Sequence, residues 1–139
     1  MDLKTQLIRD EGSVRHAYED SLGYWTIGVG RMIDAARDGG LSPDEVEYLL
    51  ANDIAEKTKQ VLAEFPWASK LNEARLGVLI NMAFQMGVYG LLKFTRTLWA
   101  IEDGQYKEAA MHMLDSLWAQ QTPERAKRLA KQMETGEWH

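Results

Sequence analysis

The sequence predicts an α+β fold that is mostly helical, with a small antiparallel sheet followed by a long helix and a helical remainder. Residues 14–33 alternate in polarity and are interrupted by turn-forming residues, which predicts two or three short strands. Residues 42–64 begin with a strong helix start and carry an apolar stripe at helical spacing. Residues 73–86 are apolar almost throughout, which predicts a central buried helix. A chain of 139 residues usually forms one domain that needs neither metal nor disulfide to fold.

The first third of the chain places three polar residues around the predicted sheet. Residues 3–11 have the spacing of a short helix, which Gly12 is suited to end, so Glu11 lies in the last turn. Asp20 falls in the turn between the first two strands, and Thr26 lies on the next strand. We therefore expect a carboxyl group, a second carboxyl group and a hydroxyl group in one part of the fold.

The helical part begins with a capping box, in which Ser42 is the N-cap, Pro43 the first helical residue and Glu45 the reciprocal partner. Pro66 ends this helix. The further predicted helices cover residues 73–86, 94–101 and 106–114, a short piece around Trp118, and a last helix from Thr122 as N-cap to Glu134.

Composition excludes several classes of function. The chain has no cysteine, so neither thiol catalysis nor a disulfide framework is available. The net charge is −5, and residues 1–50 carry five Lys or Arg against ten Asp or Glu, which argues against nucleic acid as a partner. No apolar run is judged long enough to cross a bilayer, so we expect no membrane insertion. No spacing of His, Asp and Glu resembles a metal site, and we expect no cofactor.

Glu11, Asp20 and Thr26 have the residue types that glycoside hydrolysis needs: an acid, a carboxylate that handles water, and a hydroxyl that helps to hold the water. Burial in a cleft and the negative end of a helix dipole would both raise the pKa of Glu11, as a general acid near neutral pH requires. Each residue also has an ordinary alternative. These are a solvated glutamate at a helix end, an aspartate that bonds its own turn, and a plain strand threonine.

Several stretches of the sequence resemble the motifs of phage lysozymes of the T-even type. Around the predicted sheet they are E-G at 11–12, Y-x-D at 18–20 and G-Y-W-T-I-G-V-G at 23–30. In the helical part they are L-I-N-M-A-F-Q-M-G at 79–87, F-T-R-T-L at 94–98, S-L-W-A-Q-Q-T-P-E-R-A-K-R at 116–128 and T-G-E-W at 135–138. This resemblance covers almost the whole chain and implies a lysozyme-like fold of two lobes. The small sheet lobe would span about 13–41, the connecting helix about 42–64, and the helical lobe about 65–139 together with helix 3–11.

The resemblance implies that the chain hydrolyses the β-1,4 bond between N-acetylmuramic acid and N-acetylglucosamine in bacterial peptidoglycan, with inversion. Glu11 matches the general acid, Asp20 the carboxylate that activates or positions water, and Thr26 the hydroxyl that helps to hold it. Arg125 matches an arginine that pairs with the acid, although a nearby cation would lower the pKa of that acid. The remaining predicted substrate contacts are Met32, Phe84, Thr97 and His112, with Gln85 and Trp118 at the cleft floor. Met32 and Phe84 could equally be core residues.

The chain departs from the best-known members of that family in several ways. The segment after Gly30 is shorter, and Arg31 stands where those members carry histidine. Thr97 and His112 replace other polar residues, and the overall charge is acidic where those members are basic. Two rival functions therefore stay open. One is a lytic transglycosylase, which needs the acid but no water, and the other is a non-catalytic wall-binding descendant.

The cellular setting follows from the same resemblance. We expect a monomeric endolysin that is made in the host cytoplasm, which suits a chain without cysteine. Met1 to Lys4 lack the apolar region of a signal peptide. We therefore expect that the enzyme reaches the cell wall only after a partner such as a holin has permeabilised the membrane.

Overall fold

Seven helices and three strands form the structure, a computed structural model that describes all 139 residues. The chain begins with one helix and the strands and is helical from residue 43 onward. In order the elements are α1 (Leu3–Glu11), β1 (Val14–Glu19), β2 (Trp25–Gly28), β3 (Arg31–Met32), α2 (Pro43–Glu64), α3 (Glu73–Leu92), α4 (Thr95–Glu102), α5 (Tyr106–Leu114), α6 (Leu117–Gln121) and α7 (Pro123–Thr135). The predicted fold class, a mostly helical α+β fold with a small antiparallel sheet, is confirmed.

The three strands pair antiparallel in the order β1-β2-β3, as the alternation of residues 14–33 predicted. Thr26 on β2 lies opposite Tyr18 on β1 and opposite Met32 on β3. The turn from β2 to β3 contains Gly28 and Gly30, whose φ angles are 67° and 64°. Glycine adopts such positive φ values without the steric penalty of a Cβ atom, so both residues suit this tight return.

Asp34 ties the loop that follows β3 to the start of the central strand, β2. Its Oδ2 accepts a hydrogen bond from the Trp25 N–H at 3.1 Å, and its Oδ1 accepts one from the Ala36 N–H at 2.9 Å. These two backbone donors, Trp25 above all, hold the pKa of Asp34 below its ordinary value. The polar loop predicted after the sheet therefore contains a short 3-10 turn, Ala35–Arg37, that Asp34 caps.

Helix α2 begins with the predicted capping box. The Ser42 N–H donates to Glu45 Oε1 at 2.9 Å, and the Glu45 N–H donates to Ser42 Oγ at 3.2 Å. Glu45 also pairs with Arg31 at the end of the sheet. The Ser42 N–H, followed by the Arg31 side chain, holds the pKa of Glu45 below its ordinary value. Local side-chain chemistry thus sets the start of the longest helix.

The chain folds as two compact units, Met1–Leu50 and Ala51–His139, and the division falls inside α2. We call them the sheet unit and the helical unit. The sheet unit contains α1, the three strands and the start of α2, whereas the helical unit contains the rest of α2 and α3 to α7. The predicted lobe boundaries, which place helix 3–11 with the helical lobe, stay a prediction.

Helix α3 supplies the core of the helical unit, as its apolar sequence predicted. Val78, Leu79, Met82 and Ala83 are fully buried. Helix α5 packs against α4 and α7, and α3 and α6 also contact α7. The same core contains Val61 of α2, Leu91, Ile101, Met113 and Met133.

Helix α3 also corrects one expectation. At 20 residues it has the length and composition of a membrane-spanning helix, although the sequence pattern predicts no such segment. Its buried face belongs to the core of the helical unit, which accounts for the apolar composition. The helix is interrupted at Gly87, where φ is 75° and ψ is 164°, so the regular part ends where the sequence predicted.

Helix α7 begins as predicted, with Thr122 at the N-cap position and Pro123 as the first helical residue, whose missing N–H costs nothing in a first turn. The Thr122 hydroxyl makes no capping bond, because it donates to the carbonyl of Trp118 at 3.1 Å. At its other end, Arg75 donates from Nε to the Met133 carbonyl at 2.8 Å, which satisfies a carbonyl of the last turn.

Candidate active site

Glu11 is the last residue of α1, and its carboxyl group lies against the backbone of Gly30. The helix ends because Gly12 has a φ of 81° and returns its N–H to the Ile8 carbonyl at 2.9 Å. A Cβ atom placed on Gly30 would lie 2.8 Å from Glu11 Oε2 and 3.0 Å from Glu11 Cδ. The turn between β2 and β3 can therefore approach this carboxyl group only because residue 30 has no side chain.

Asp20 holds the turn between β1 and β2 with one of its two carboxylate oxygens. Oδ1 accepts the N–H groups of Leu22 and Tyr24, both at 2.9 Å. The backbone closes the same turn, since the Asp20 N–H donates to the Tyr24 carbonyl at 2.8 Å and the Gly23 N–H donates to the Asp20 carbonyl at 3.0 Å. This is the Asx turn that the sequence offered as the ordinary alternative for Asp20. The turn engages Oδ1 and leaves Oδ2 without a protein donor.

Thr26 lies in the middle of the sheet and is almost completely buried, with 4% of its surface exposed. Its hydroxyl donates to the Tyr24 carbonyl at 3.1 Å. A hydroxyl has one donor hydrogen and two acceptor lone pairs, so this bond leaves Thr26 Oγ1 able only to accept. Met32, a predicted substrate contact, lies directly opposite Thr26 on β3 and is half-buried.

Gln85 and Trp118, the predicted cleft-floor residues, are joined by a hydrogen bond. The indole Nε1 of Trp118 donates to Gln85 Oε1 at 2.9 Å across 33 positions of the chain. Phe94 packs edge-on against the Trp118 ring with the ring centroids 5.8 Å apart. With 7% of its surface exposed, Trp118 is held rigidly by a polar bond on one side and an aromatic contact on another.

A pocket of about 550 Å³ brings together three of the predicted substrate contacts in the helical unit. Thr97, His112 and Trp118 all line it, with Lys93 and Asp115 among their neighbours. The His112 ring lies 3.5 Å from the Glu108 carboxylate one turn earlier on α5. Phe84 does not line this pocket and is 42% exposed on α3, so it is not the core residue that the sequence allowed.

Arg125 is held by a residue that the sequence analysis missed. Its Nε and Nη2 donate to Asn81 Oδ1 at 3.0 and 2.7 Å, and Nη2 also reaches the Asn81 carbonyl at 3.3 Å. Asn81 and Gln85 are polar residues four apart in the apolar middle of α3, a spacing that puts both on one face. That spacing was the available signal for Asn81. The predicted pairing of Arg125 with Glu11 stays a prediction.

The candidate residues thus form two groups. Glu11, Asp20, Thr26 and Met32 belong to the sheet unit, and the other six belong to the helical unit. Within the sheet unit, an exposed carboxyl group, a turn-fixed carboxylate and a buried hydroxyl are presented by one helix end and one small sheet.

Gly30, which lies beside the Glu11 carboxyl group, is the second residue that the sequence analysis missed, because a glycine pair alone signals only a bend. No group of His, Asp and Glu residues could hold a metal ion.

A mostly helical α+β fold, with an acidic helix end beside a three-stranded sheet, defines the class as lysozyme-like. The chain belongs to the phage lysozyme family, whose model matches residues 9–134. All ten predicted site residues fall within that range. The predicted family and the predicted enzyme class, a lysozyme, are therefore confirmed.

Curated relatives occur in phages and beyond them. The chain is 31% identical to probable T4-type lysozyme 1 of Dictyostelium discoideum, over 96% of this chain and 94% of that protein. It is 33% identical to the pre-baseplate central spike protein of Enterobacteria phage T4, over 98% of this chain but only 28% of that protein. It is also 28% identical to a peptidoglycan hydrolase of Pseudomonas phage phiKMV, over 94% of this chain and 15% of that protein.

Proposed function

We propose that this chain hydrolyses the β-1,4 bond between N-acetylmuramic acid and N-acetylglucosamine in bacterial peptidoglycan, with inversion at the anomeric carbon. The observation that carries the proposal is the placement of the Glu11 carboxyl group against Gly30, in the same compact unit as Asp20 and Thr26. Family membership and the phage peptidoglycan hydrolase among the relatives support the choice of substrate.

Glu11 acts as the general acid in this proposal. Protonation of the glycosidic oxygen by a positioned carboxyl group lets the leaving sugar depart as a neutral alcohol while positive charge develops on the other ring. The side chain projects from a helix end, and the Gly30 backbone limits its position on one side. The close approach of Gly30 therefore restricts where the carboxyl group can lie. No ion pair within the sheet unit engages the carboxylate oxygens.

Asp20 and Thr26 handle the attacking water. Two backbone N–H groups fix Asp20 Oδ1, so Oδ2 stays free to accept a proton or a hydrogen bond from water. The Thr26 hydroxyl gives its hydrogen to Tyr24, so its oxygen can accept the second hydrogen of the same water. A water that donates both hydrogens presents a lone pair for attack. An inverting enzyme needs roughly 6.5–9.5 Å between its carboxyl groups to admit that water.

Substrate contacts are assigned to the second group of residues. Thr97, His112 and Trp118 share one pocket, and Gln85 holds the Trp118 indole. Phe84 offers an exposed ring on α3, and Met32 lies beside Thr26 on the sheet. Arg125, fixed by Asn81, is the cation that we assign to the acid.

Two rival functions make different demands on these residues. A lytic transglycosylase uses the acid and lets the sugar close on itself, so it needs neither Asp20 nor Thr26 for water. The fixed carboxylate and the hydroxyl with free acceptor capacity favour the hydrolase. A non-catalytic wall-binding protein has no use for a carboxyl group positioned against a glycine turn.

The reaction is tested by following the anomeric protons of the products by NMR during digestion of peptidoglycan fragments. We expect the α-anomer to form first, since inversion of a β-bond gives the α product. Glu11→Gln should lower the rate by about 10²–10⁴-fold, the usual contribution of a general acid. Glu19→Gln, which changes an exposed carboxyl group on β1, serves as control and should keep the wild-type rate. Initial formation of the β-anomer would overturn the inverting mechanism.

The cellular setting is part of the same proposal. We propose that the protein is a monomer made in the host cytoplasm and that it acts on the wall after a holin has permeabilised the membrane. Expression in bacteria should then cause lysis only together with a membrane-permeabilising partner. Lysis of intact cells by the chain alone would contradict this dependence, and sedimentation of a dimer would contradict the monomeric state.

A further inference from the structure

We propose that a groove between α4 and α5, which we call the Trp99 groove, binds one saccharide unit of the glycan strand. The inference rests on the proposed function and extends it to Trp99, which is not among the predicted site residues. The groove encloses about 510 Å³, and the Trp99 indole forms one wall. It belongs entirely to the helical unit.

Trp99 is largely exposed, with 68% of its surface accessible. The exposed Trp138, by comparison, packs its ring over Gly77, where a Cβ atom would meet the indole at 2.7 Å. Trp118 is buried and hydrogen-bonded. A flat aromatic face left in water is the surface that the C–H face of a pyranose ring covers, since both are apolar and rigid.

The polar groups around Trp99 match the hydroxyl and amide groups of an amino sugar. Arg96 and Gln105 supply N–H donors, and Asp103 and Glu108 supply carboxylate acceptors. Sugar hydroxyls both donate and accept, so a rim that mixes the two kinds of group can satisfy them. Because the lining contains one arginine and one histidine together with two carboxylates, the groove has no strong positive field, and this favours a neutral sugar over an anionic group.

The groove continues the pocket that contains the predicted substrate contacts. Arg96 and His112 line both cavities, so the two cavities adjoin. A glycan that contacts Thr97 and Trp118 in the first cavity can therefore extend along α4 to Trp99. Recognition of a long strand would then involve a saccharide outside the predicted contacts.

The test uses Glu11→Gln protein, which prevents cleavage, and a hexamer of N-acetylglucosamine, which carries no peptide. The indole N–H resonance of Trp99, assigned by its loss in Trp99→Phe, should shift on titration. Trp99→Ala should weaken hexamer binding about five- to tenfold, and Trp99→Phe should retain most of the affinity because it keeps a ring. Tyr89→Ala, which removes an aromatic ring that is 86% exposed elsewhere on α3, should bind like the parent protein.

Equal hexamer affinity in Trp99→Ala and its parent would overturn the inference. A shift of the Trp99 resonance with free stem tetrapeptide, and none with the hexamer, would overturn it in favour of a peptide site. Failure of this inference is distinguishable from failure of the proposed function. If only the Trp99 groove is wrongly assigned, the wild-type protein still releases muropeptides from peptidoglycan. If the proposed function is wrong, the wild-type protein releases none.

Discussion

The Glu11 carboxyl group occupies the space beside Gly30 that a side chain would fill, with Glu11 Oε2 only 2.8 Å from the point where a Cβ on residue 30 would be. The two residues lie on different elements, one at the end of α1 and the other in the turn before β3. This close approach links the helix that carries Glu11 to the sheet that carries Thr26. It also makes the position of the Glu11 carboxyl group depend on the absence of a side chain at residue 30.

Gly30→Ala should therefore reduce activity far more than stability. The new methyl group must displace the end of the Glu11 side chain, which can rotate away cheaply, so the fold loses about 1 kcal/mol from the positive φ alone. Misplacing a catalytic group by about 1 Å can cost on the order of a hundredfold in rate. Peptidoglycan digestion rates and urea unfolding of the same samples measure both effects.

Gly28→Ala is the matched control for this prediction. Its φ of 67° imposes the same backbone strain, but a Cβ there meets nothing within 4 Å. We expect a similar loss of stability and an activity near that of the wild type. If the two variants lost activity equally, backbone strain in the turn would explain the effect, and the Glu11 contact would not.

Asp34 should make the protein sensitive to acid. Its carboxylate accepts two backbone N–H groups, and its pKa in the folded state lies below the ordinary 3.8. Its stabilising contribution is therefore complete above pH 3.8 and is lost as the pH falls through the lower folded-state pKa. Asp34→Asn should lower the urea midpoint at pH 7. Asparagine keeps one side-chain oxygen as an acceptor, but its NH₂ group cannot accept the second backbone N–H.

The difference between wild type and Asp34→Asn should then shrink as the pH is lowered below 3.8. Asp53→Asn, which changes an exposed carboxyl group on α2, should leave the midpoint unchanged at both pH values. A constant difference between wild type and Asp34→Asn across this pH range would show that the ionised form is not what stabilises the turn.

Asn81 should matter to catalysis through Arg125. Its Oδ1 accepts two hydrogen bonds from the guanidinium group, which alanine would remove, whereas the longer contact with its backbone carbonyl would remain. With only that contact left, the arginine side chain can change rotamer more easily. We expect Asn81→Ala to lower the digestion rate by about tenfold to a hundredfold. The double variant with Arg125→Ala should lose little more than Arg125→Ala alone. Arg128 lines the same cavity as Arg125. Arg128→Ala therefore controls for the loss of one positive charge and should keep most of the activity. Additive losses in the double variant would show that Asn81 does not act through Arg125.

Gln85 should contribute to stability through Trp118. Gln85→Ala would leave the indole N–H of a nearly buried residue unpaired, which costs about 1–3 kcal/mol of unfolding free energy. Gln85→Glu keeps an acceptor at this position and should lose less. In the Trp118→Phe background, which has no donor, Gln85→Ala should cost markedly less than in the wild type. An equal cost in both backgrounds would show that Gln85 does not stabilise the fold through the Trp118 indole.

Local patterns in the sequence were enough to predict most of the elements. The capping box of Ser42 and Glu45, the break at Gly87 and the glycines between β2 and β3 each act over a few residues, so their effects can be read from neighbours. Thr122 shows the limit of such reasoning. Its hydroxyl could cap α7 or bond the last carbonyls of α6, and the choice depends on how close α6 ends to α7.

The candidate site was harder to predict because its contacts join distant parts of the chain. Asn81 and Arg125 are 44 positions apart, and Gln85 and Trp118 are 33 apart. No periodicity reports such pairs, and the resemblance to phage lysozymes supplied the roles instead. The contact between Glu11 and Gly30 was missed for the same reason, although both residues were noticed separately.

The most direct test of the central claim is mass spectrometry of muropeptides released from purified peptidoglycan by the wild-type chain and by Glu11→Gln. We expect free reducing N-acetylmuramic acid ends from the wild type and release that is about 10²–10⁴-fold slower from Glu11→Gln, because hydrolysis needs both the acid and a water. Anhydromuramic ends from the wild type would identify a transglycosylase and remove Asp20 and Thr26 from the mechanism. Release by Glu11→Gln at the wild-type rate would contradict the assignment of the acid.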